Sequence, residues 1–313
     1  MNRLMMAACI VLAVSCSSDP IGLNDPIRLK ITTYNVLCSF CGDGHFDDND
    51  YDDWPTRLPH LRDQLADYDA DLIGLQELLY TAPNPDRAID DEVAALGGRG
   101  PTYTSIYYER DPSDFRSSMD YPDATILYKT ERFDFVRKGH FWLSPTPDQA
   151  FSAGFDPDGQ LPRILVWVEL QVKKTNQNLI FATTHVDNNR PSQELSAPLI
   201  RERLTRIAAH LPIILVGDFN SGLEHPAYID LTQHDTQPFI DTHSLAASPK
   251  ATGDAQLIED YYWQRRIDHI FIHPADRFEV SDWSIDLRTY ADGTRTPSDH
   301  RPVHATVDLL TDN

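Results

Sequence analysis

Hydrophobic and polar residues alternate in residues 27–36, the first segment of the chain with a regular pattern. In "IRLKITTYNV" the residues Ile27, Leu29, Ile31 and Thr33 fall on one face of an extended chain, which is the period of two of a β-strand. The same alternation returns near the C-terminus, where four apolar residues share one face: Val303, Ala305, Val307 and Leu309. The pattern therefore predicts a strand near each end of the folded part.

Two other segments carry apolar residues at helical spacing. In "PTRLPHLRDQLADY" the residues Leu58, Leu61 and Leu65 recur every three or four positions, which predicts a helix. The segment "QELSAPLIRERLTRIAAHL" predicts a second, amphipathic helix. We expect Pro198 to interrupt it, because proline lacks the N–H that a helix interior uses.

Several predicted strands follow one another without a helix between them. "DATILYKTERFDFVRKGHFWLS" predicts two or three strands, and "RILVWVELQVKK" with "NLIFATTH" predicts a strand pair around a polar turn. Elsewhere helices and strands alternate, which together predicts an α/β body with mixed or antiparallel sheets. No internal repeat or linker in the sequence divides residues 27–313 into two domains.

Polar side chains stand at or beside the ends of the apolar strands. They are carboxylates, amides and imidazoles: Asn35, Glu77, His185, Asp218, Asn220, Asp268, Asp299 and His300. In "LVGDFN" the period of two places Asp218 and Asn220 on one side and Phe219 on the other. Each residue alone has a structural explanation, since Asp and Asn after a strand are common in turns. Their recurrence at strand ends predicts one polar cleft.

The charge of the chain restricts what this cleft can bind. The 313 residues include 48 acidic and 27 basic side chains, which gives a formal net charge of −21. A field of this sign repels phosphate backbones and lipid headgroups. An anionic substrate would therefore be held by a metal ion or by local arginine and histidine side chains.

The N-terminus has the order of an export signal. Arg3 precedes an apolar run over residues 4–14, and small residues follow before Cys16; the run is too short to span a bilayer. "LAVSC" resembles a bacterial lipobox, and an ordinary cleaved signal is the alternative. We expect a signal peptide at 1–15, lipidation of Cys16, a polar tether at 16–26, and a protein anchored by lipid to the membrane of the bacterial cell envelope, or else secreted.

Export changes the interpretation of the remaining cysteines. Cys9 lies in the apolar run and Cys16 at the cleavage site, so Cys38 and Cys41 remain, in a C-x-x-C spacing. In an exported protein we expect these two to form a disulfide. A redox motif is less favoured because no thioredoxin-like context surrounds the pair, and a four-ligand zinc site would need two further ligands.

The ordered series "TYNV", "LQE", "TTH", "GDFN", "RIDHIF" and "SDH" resembles the endonuclease/exonuclease/phosphatase superfamily, from about Arg28 to Leu309. "ATILYKTERFDFVRKGHFWLSPTPD" and "LPRILVWVEL" are similar to its exported bacterial members. The resemblance implies a four-layered α/β sandwich, with two packed mixed β-sheets flanked by helices. It also implies a metal-dependent hydrolase that cleaves phosphoester bonds by in-line attack of an activated water.

The resemblance further implies how the site holds a metal ion and water. Glu77 would be the principal ligand of Mg²⁺ or Mn²⁺, with Asn35 and Asp299 beside it, and such oxygen ligands suit these ions. Asp218 would orient or deprotonate the attacking water. Asn220 would hold an oxygen of the phosphate.

The remaining implied roles concern protons and phosphate. Asp268 would fix the tautomer of His300 and raise its basicity. His185 would stabilise the phosphorane or assist the leaving group. Arg163, in "LPRI", lies close to where several family members bind the scissile phosphate, and a guanidinium fork fits phosphate well. The alternative is that Arg163 caps a strand edge or pairs with one of the many acids.

The substrate stays open between a small molecule, a nucleic acid and a lipid headgroup. A nuclease would gain from a basic stripe, which this acidic chain lacks. A sphingomyelinase or phospholipase C-type enzyme would need an exposed apolar hairpin, for which residues 261–263 are the candidate. A surface binding protein that kept the fold and lost the chemistry is the non-enzymatic alternative, although Glu77, Asp218 and His300 are all retained. No obligate protein partner is evident.

Two loops near the first strand carry further expectations. The acidic residues 47–53 form a solvated loop or, as the alternative, bind a structural Ca²⁺ without the full EF-hand spacing. The cysteine pair follows Asn35 closely, so we expect its disulfide to restrain the first catalytic loop.

Overall fold

The computed structural model describes residues 25–39, 41, 51–78, 103–109, 123–155, 161–253, 266–291, 293 and 295–311. The signal peptide, Cys16, the acidic residues 47–50 and the aromatic residues 261–263 lie outside the described residues. In the part of the chain that is described, no helix has the length and apolar character needed to cross a bilayer.

The first sheet contains seven strands within the described residues, in the order β10-β12-β13-β1-β2-β4-β3. They are β1 (Ile27–Asn35), β2 (Leu72–Gln76), β3 (Tyr103–Ile106), β4 (Ala124–Lys129), β10 (Lys250–Gly253), β12 (Phe278–Leu287) and β13 (Val303–Leu309). β1 runs parallel to β2 and antiparallel to β13, so the sheet is mixed. The alternating residues of β1 and β13 face the core, as their pattern predicts.

The second sheet contains six described strands, in the order β5-β6-β7-β8-β11-β9. They are β5 (Phe133–Trp142), β6 (Ile164–Val172), β7 (Asn178–His185), β8 (Ile213–Asp218), β9 (Ile240–Asp241) and β11 (Asp268–His273). β7 runs parallel to β8, and β11 runs antiparallel to β8. The predicted strand pair around a polar turn is β6 and β7, which are antiparallel.

Apolar side chains from both sheets fill the space between them. Leu29 and Ile31 of the first sheet belong to the same buried cluster as Val216 and Ile270 of the second. Full burial of such side chains contributes about 1.5 to 3 kcal/mol each relative to exposure. This shared core sets one sheet on the other, and therefore sets which strand ends can meet.

Helices cover the outer faces of both sheets and complete a four-layered α/β sandwich, as expected from the sequence. They are α1 (Trp54–Tyr68), α2 (Arg190–Ala208), α3 (Pro226–Gln233) and α4 (Thr242–Leu245), with a 3-10 turn at Ala275–Arg277. Leu61 and Leu65 of α1 pack on the first sheet. Ile200 and Leu204 of α2 pack on the second.

Capping and packing explain where two of these helices begin and end. Asp53, the last residue of the acidic stretch, caps α1, because its side chain accepts a hydrogen bond from the backbone N–H of Thr56. The predicted interruption of α2 at Pro198 is wrong, because the helix (Arg190–Ala208) continues through this proline. Burial of Ala197 and Ile200 on either side compensates for the backbone hydrogen bond that proline removes.

Candidate active site

The polar residues predicted to converge lie at one edge of both sheets. Asn35 ends β1 and Asp218 ends β8, while the antiparallel strands β13 and β11 begin at the same edge. Within the second sheet, His185 and Asp268 are the direct neighbours of Asp218 on either side. The ends of parallel strands and the starts of antiparallel strands therefore meet, which produces the predicted cleft.

Asp218 lies at the centre of this cluster and is fully buried. Its Oδ2 accepts a hydrogen bond from Asn35 Nδ2 at 3.1 Å, and lies 3.4 Å from His185 Nε2 and 3.5 Å from His300 Nε2. Its Oδ1 accepts a hydrogen bond from the backbone N–H of Asn220 at 2.8 Å. One carboxylate thus joins residues from separate strand ends.

The backbone adopts unusual conformations around this carboxylate. Gly217 has a φ of 154°, and a Cβ there would lie 2.1 Å from the carbonyl oxygen of Thr184. Glycine is therefore required for β7 and β8 to approach this closely. Glu77 and Asn220 have positive φ values of 59° and 47°, which cost on the order of 1 to 3 kcal/mol each outside glycine. Surrounding hydrogen bonds hold these conformations in place.

Asn35 and Glu77, two of the predicted metal ligands, are in direct contact. Asn35 Nδ2 donates to Glu77 Oε1 at 3.0 Å, and the backbone N–H of Cys38 donates to Glu77 Oε2 at 3.1 Å. Asp299, the third predicted ligand, lies in the loop before β13. Ser298 Oγ in that loop donates to the carbonyl oxygen of Asn35 at 2.7 Å. The three predicted ligands therefore come from three adjoining segments: the end of β1, the residue after β2 and the loop before β13.

The loop after β1 contains the predicted disulfide. Cys38 and Cys41 are joined, and the backbone N–H of Cys41 donates to the carbonyl oxygen of Cys38 at 2.9 Å. Because the N–H of Cys38 binds Glu77, the disulfide closes the loop that holds this carboxylate.

His300 and Asp268 form the predicted pair. His300 Nδ1 lies 2.8 Å from Asp268 Oδ2. Burial lowers the pKa of His300, but the carboxylates of Asp268 and Asp218 outweigh this and raise the pKa well above its ordinary value. Burial, together with the charge of Asp218, also raises the pKa of Asp268. The group therefore favours bound positive charge, either protons or a cation.

His185 forms a second histidine–carboxylate pair, with Asp123, which the sequence pattern did not predict. His185 Nδ1 lies 2.5 Å from Asp123 Oδ2, and both side chains are buried. Burial lowers the pKa of His185, but Asp123 and then Asp218 raise it above its ordinary value. Asp123 directly precedes β4, so it carried the same signal as the other residues: a polar side chain beside an apolar strand.

Arg163 lies beside this second pair. Its Nη1 is 3.1 Å from His185 Nδ1 and 3.4 Å from Asp123 Oδ2, and its Nη2 is 4.0 Å from Asp187 Oδ1. The short contact between His185 and Asp123 assigns the Nδ1 proton to the histidine, so Arg163 donates to Asp123. Arg163 is thus already paired with acids, and its contact with phosphate stays a prediction.

Asn220 faces the cluster from the same side as Asp218. Its Nδ2 donates to the carbonyl oxygen of Val186 at 2.9 Å and lies 3.3 Å from His185 Nε2. Phe219 turns the other way, into the core under α2 and α3, as the period of two predicts. The expected contact of Asn220 with phosphate stays a prediction.

The cluster fits a hard divalent cation by the chemistry of its donors. Ligand atoms of Asp218, Asp268 and His300 lie within 4.8 Å of one another, and Asp268 Oδ1 is buried with no hydrogen-bond partner. Cys38, Cys41 and Glu77 are equally close, but two sulfurs joined in a disulfide cannot bind as thiolates. A carboxylate-rich group with an unused buried oxygen suits Mg²⁺ or Mn²⁺.

The fold and this site together are those of an α/β-sandwich hydrolase. The model of the Endonuclease/Exonuclease/phosphatase family matches residues 32–300. The chain therefore belongs to this family, whose members hydrolyse phosphoester bonds.

Solved structures share the whole fold, whereas no curated protein sequence matches the chain. An endonuclease/exonuclease/phosphatase family protein of Bacteroides thetaiotaomicron is 27% identical, with a TM-score of 0.73 over 93% of this chain and 98% of that chain. A mannosyl-6-phosphatase of the same species is 28% identical, with a TM-score of 0.67 over 89% and 99%. The catalytic domain of human Nocturnin, 15% identical with a TM-score of 0.61 over 90% and 95%, shares the fold.

Proposed function

We propose that this protein is a divalent-metal-dependent phosphoester hydrolase that uses water as the nucleophile. One observation carries the proposal: the buried carboxylate of Asp218 lies within 3.5 Å of Asn35, His185 and His300. Two histidine–carboxylate pairs thus flank one acid beside a carboxylate-rich edge. This arrangement offers groups for the three requirements of phosphoester hydrolysis: acids that could bind a cation, an acceptor that could orient water, and a proton donor.

Glu77, Asn35 and Asp299 would hold Mg²⁺ or Mn²⁺, and the unused oxygen of Asp268 adds a donor nearby. When bound, such an ion neutralises charge on the phosphoryl oxygens. Asn35 also keeps Glu77 and Asp218 apart as a neutral donor between two acids.

The chain's own side chains would handle the protons and the phosphate. Asp218 would orient and deprotonate the attacking water. His185, whose pKa is raised by Asp123 against the effect of burial, would keep a proton on Nε2 for the leaving oxygen. His300, held by Asp268, would place positive charge beside the developing phosphorane.

Arg163 and Asn220 would complete the contacts with phosphate. The second N–H of the Asn220 amide and the guanidinium of Arg163 both lie within 3.3 Å of the His185 ring nitrogens. A phosphate that reaches Nε2 of His185 would therefore meet the Asn220 amide, whereas Arg163, which lies at Nδ1, would have to turn away from Asp123 to reach it.

A phosphomonoester of a sugar is the substrate class that we propose first. The support is the 28% identity to a mannosyl-6-phosphatase over nearly the full length of both chains. A small substrate also suits a chain of net charge −21, because the charge penalises long polyanions more than a single phosphate. Nucleic acids and phospholipid headgroups are the alternatives for the same chemistry.

Attachment to a membrane through a lipid on Cys16 is a separate proposal. Its support is the lipobox-like "LAVSC" after an apolar run. Mass spectrometry of the N-terminal peptide from the membrane fraction would show the lipid, and a soluble protein that begins after a different cleavage site would contradict it.

Hydrolysis assays of the purified protein test the proposed activity. The substrates are mannose 6-phosphate, p-nitrophenyl phosphate, bis-p-nitrophenyl phosphate, plasmid DNA and sphingomyelin, each with Mg²⁺, with Mn²⁺ and with EDTA. We expect activity that requires metal and that Glu77→Gln and His300→Gln each lower by about 100-fold or more. Asp71→Asn, a buried acid at the opposite edge of the first sheet, serves as the control. A folded wild-type protein that is inactive on every substrate would contradict the proposal.

A further inference from the structure

Arg57 of α1 is fully buried, and among the described residues its guanidinium donates hydrogen bonds only to backbone oxygens. Six carbonyl oxygens accept from it at 2.8 to 3.2 Å: those of Asp52, Val36, Leu37, Cys38, Cys41 and Pro297. The guanidinium also lies 5.3 Å from the centre of the Trp54 ring. The backbone carbonyl groups and the Trp54 ring thus surround the positive charge of the Arg57 guanidinium.

Five of the six accepting carbonyl groups belong to two loops: the loop that follows Asn35 and binds Glu77, and the loop that contains Asp299. Val36, Leu37, Cys38 and Cys41 form the loop that follows Asn35. Pro297 belongs to the loop that precedes β13 and contains Asp299 and His300. Nη1 of Arg57 binds both loops at once, with Val36 at 3.0 Å and Pro297 at 2.8 Å.

The first loop transmits this constraint directly to a carboxylate. Arg57 Nη2 binds the carbonyl oxygen of Cys38 at 3.0 Å, and the N–H of Cys38 donates to Glu77 Oε2 at 3.1 Å. A shift of Cys38 therefore moves the hydrogen bond that orients Glu77.

A second and smaller connection joins the same two loops. Ser298 Oγ donates to the carbonyl oxygen of Asn35 at 2.7 Å and accepts from the N–H of His300 at 3.2 Å. Ser298 is itself fully buried.

Burying a guanidinium without a carboxylate partner is costly, and arginine is the side chain whose geometry makes the arrangement possible. Its planar fork offers five N–H donors in fixed directions, whereas lysine offers three from a single point. Only such a fork reaches carbonyl oxygens of two loops and of Asp52 together. An apolar residue at this position would leave six carbonyl oxygens without this donor, so packing alone does not account for arginine.

We propose that Arg57 is a positioning residue that sets the loop that follows Asn35 and binds Glu77 against the loop of Asp299 and His300, and so forms the divalent-cation site. This inference rests on the proposed function. It assigns to Arg57 no contact with substrate or metal.

Cation binding and loop protection test this role in three variants. Arg57→Lys keeps the charge and loses part of the fork, and Ser298→Ala removes only the smaller connection. Arg201→Lys is the matched control, because Arg201 is a buried helix arginine whose contacts are with Asp230 and Glu202 on the α2 and α3 side. Mn²⁺ affinity is measured by calorimetry, and amide hydrogen exchange of residues 36–38 and 298–301 is measured without metal.

We expect Arg57→Lys to weaken Mn²⁺ binding by about 10-fold or more, the range found when groups that orient metal ligands are changed. Ser298→Ala should weaken Mn²⁺ binding less. Arg201→Lys should leave Mn²⁺ binding unchanged, even where it lowers thermal stability as much as Arg57→Lys does. Hydrogen exchange should accelerate in both loops of Arg57→Lys. For p-nitrophenyl phosphate, kcat should fall while KM stays near the wild-type value.

The outcomes separate this inference from the proposed function. The inference is overturned if Arg57→Lys binds Mn²⁺ with wild-type affinity and its two loops exchange amide hydrogens at the wild-type rate. It is also overturned if Arg201→Lys loses as much Mn²⁺ affinity as Arg57→Lys. If Arg57→Lys fails to fold, Ser298→Ala decides, and unchanged affinity and exchange in that variant overturn the inference. If the wild type neither binds Mn²⁺ nor hydrolyses any phosphoester, the proposed function fails, and the exchange experiment alone judges whether Arg57 holds the two loops.

Discussion

Asn35, at the end of β1, donates a hydrogen bond to Asp218, at the end of β8, and this 3.1 Å contact crosses from one sheet to the other. The same Nδ2 donates to Glu77 at 3.0 Å. A neutral amide thus lies between two carboxylates that would otherwise repel each other. The site can therefore keep both acids close before any cation binds.

Replacing Asn35 by Asp should make this contact repulsive. The change removes both donors and adds a third carboxylate, so we expect the metal-free protein to lose about 2 to 4 kcal/mol of unfolding free energy. A divalent cation should recover part of this loss, so Mg²⁺ should raise the Tm of the variant more than that of the wild type. Thermal unfolding with and without Mg²⁺ measures both effects.

Asn178→Asp is the matched control for this prediction. Asn178 also donates to a carboxylate, Glu169, at 2.8 Å, but it lies at the start of β7, away from the cluster. This variant should lose stability without any added response to Mg²⁺. Equal responses in the two variants would argue against a cation site beside Asn35.

Asp123→Asn should lower kcat while leaving the fold intact. The amide preserves the shape of the pair but cannot stabilise a protonated His185, so the pKa of this histidine should fall. We expect kcat to drop by about 100-fold, within the usual contribution of a positioned acid or base, and the alkaline limb of the pH–rate profile to move to lower pH. Steady-state kinetics from about pH 5 to about pH 10 would show both changes, because this range covers the titration of both histidines. An unchanged pH–rate profile would show that Asp123 has no role in the mechanism.

Gly217→Ala should disrupt the site far more than Gly222→Ala. A Cβ at Gly217 would lie 2.1 Å from the carbonyl oxygen of Thr184, whereas at Gly222 the nearest atom is 3.9 Å away. Forcing β7 and β8 apart should cost about 1 to 3 kcal/mol or more and displace His185 from Asp218. Urea unfolding and kcat of the two variants check this, and similar values in both would contradict the close approach of the strands.

Removing the disulfide should destabilise the loop that holds Glu77. In the chain-entropy account, a loop this short contributes about 2 kcal/mol of stability. The double variant Cys38→Ser and Cys41→Ser should therefore unfold at lower urea concentration and bind Mn²⁺ more weakly. Reductant should shift the wild type to the same values and leave the double variant unchanged; if neither treatment changes stability or Mn²⁺ binding, the disulfide has no role in the site.

His304 should make the protein less stable in acid. Burial lowers the pKa of His304 to about 3, from the ordinary 6.5, and its Nδ1 lies 2.8 Å from Thr32 Oγ1. Between these two pH values the unfolded chain binds a proton that the folded chain excludes, so stability is full above pH 6.5 and falls as the pH decreases. The limiting slope is about 1.4 kcal/mol per pH unit.

The variant His304→Gln should therefore show a shallower loss of unfolding free energy between about pH 6 and pH 4. Urea unfolding across this range measures the slope, and His210→Gln, at an exposed histidine, controls for the loss of a histidine as such. Parallel slopes in wild type and His304→Gln would show that His304 does not contribute to the acid sensitivity.

The helices, the strands and most polar residues of the active-site cluster could be predicted from the sequence, because each depends on a local pattern. Alternation in β1 and β13 reports which face each strand buries, and a polar residue that ends an apolar strand has no place in the core. Asn35, Asp218 and Asp268 were found in this way. The one helix boundary that failed, at Pro198, depended on packing beneath α2, which no local pattern records.

The sequence alone therefore sets the strands, the face that each strand buries, and the polar residues at strand ends. Which of these residues meet depends on the tertiary structure. The pairing of His185 with Asp123, the amide of Asn35 between Glu77 and Asp218, and the two loops bound by Arg57 all join parts of the chain that are distant in sequence. Their distances follow from the order of strands and from how one sheet packs on the other, and these are properties of the whole core rather than of any segment.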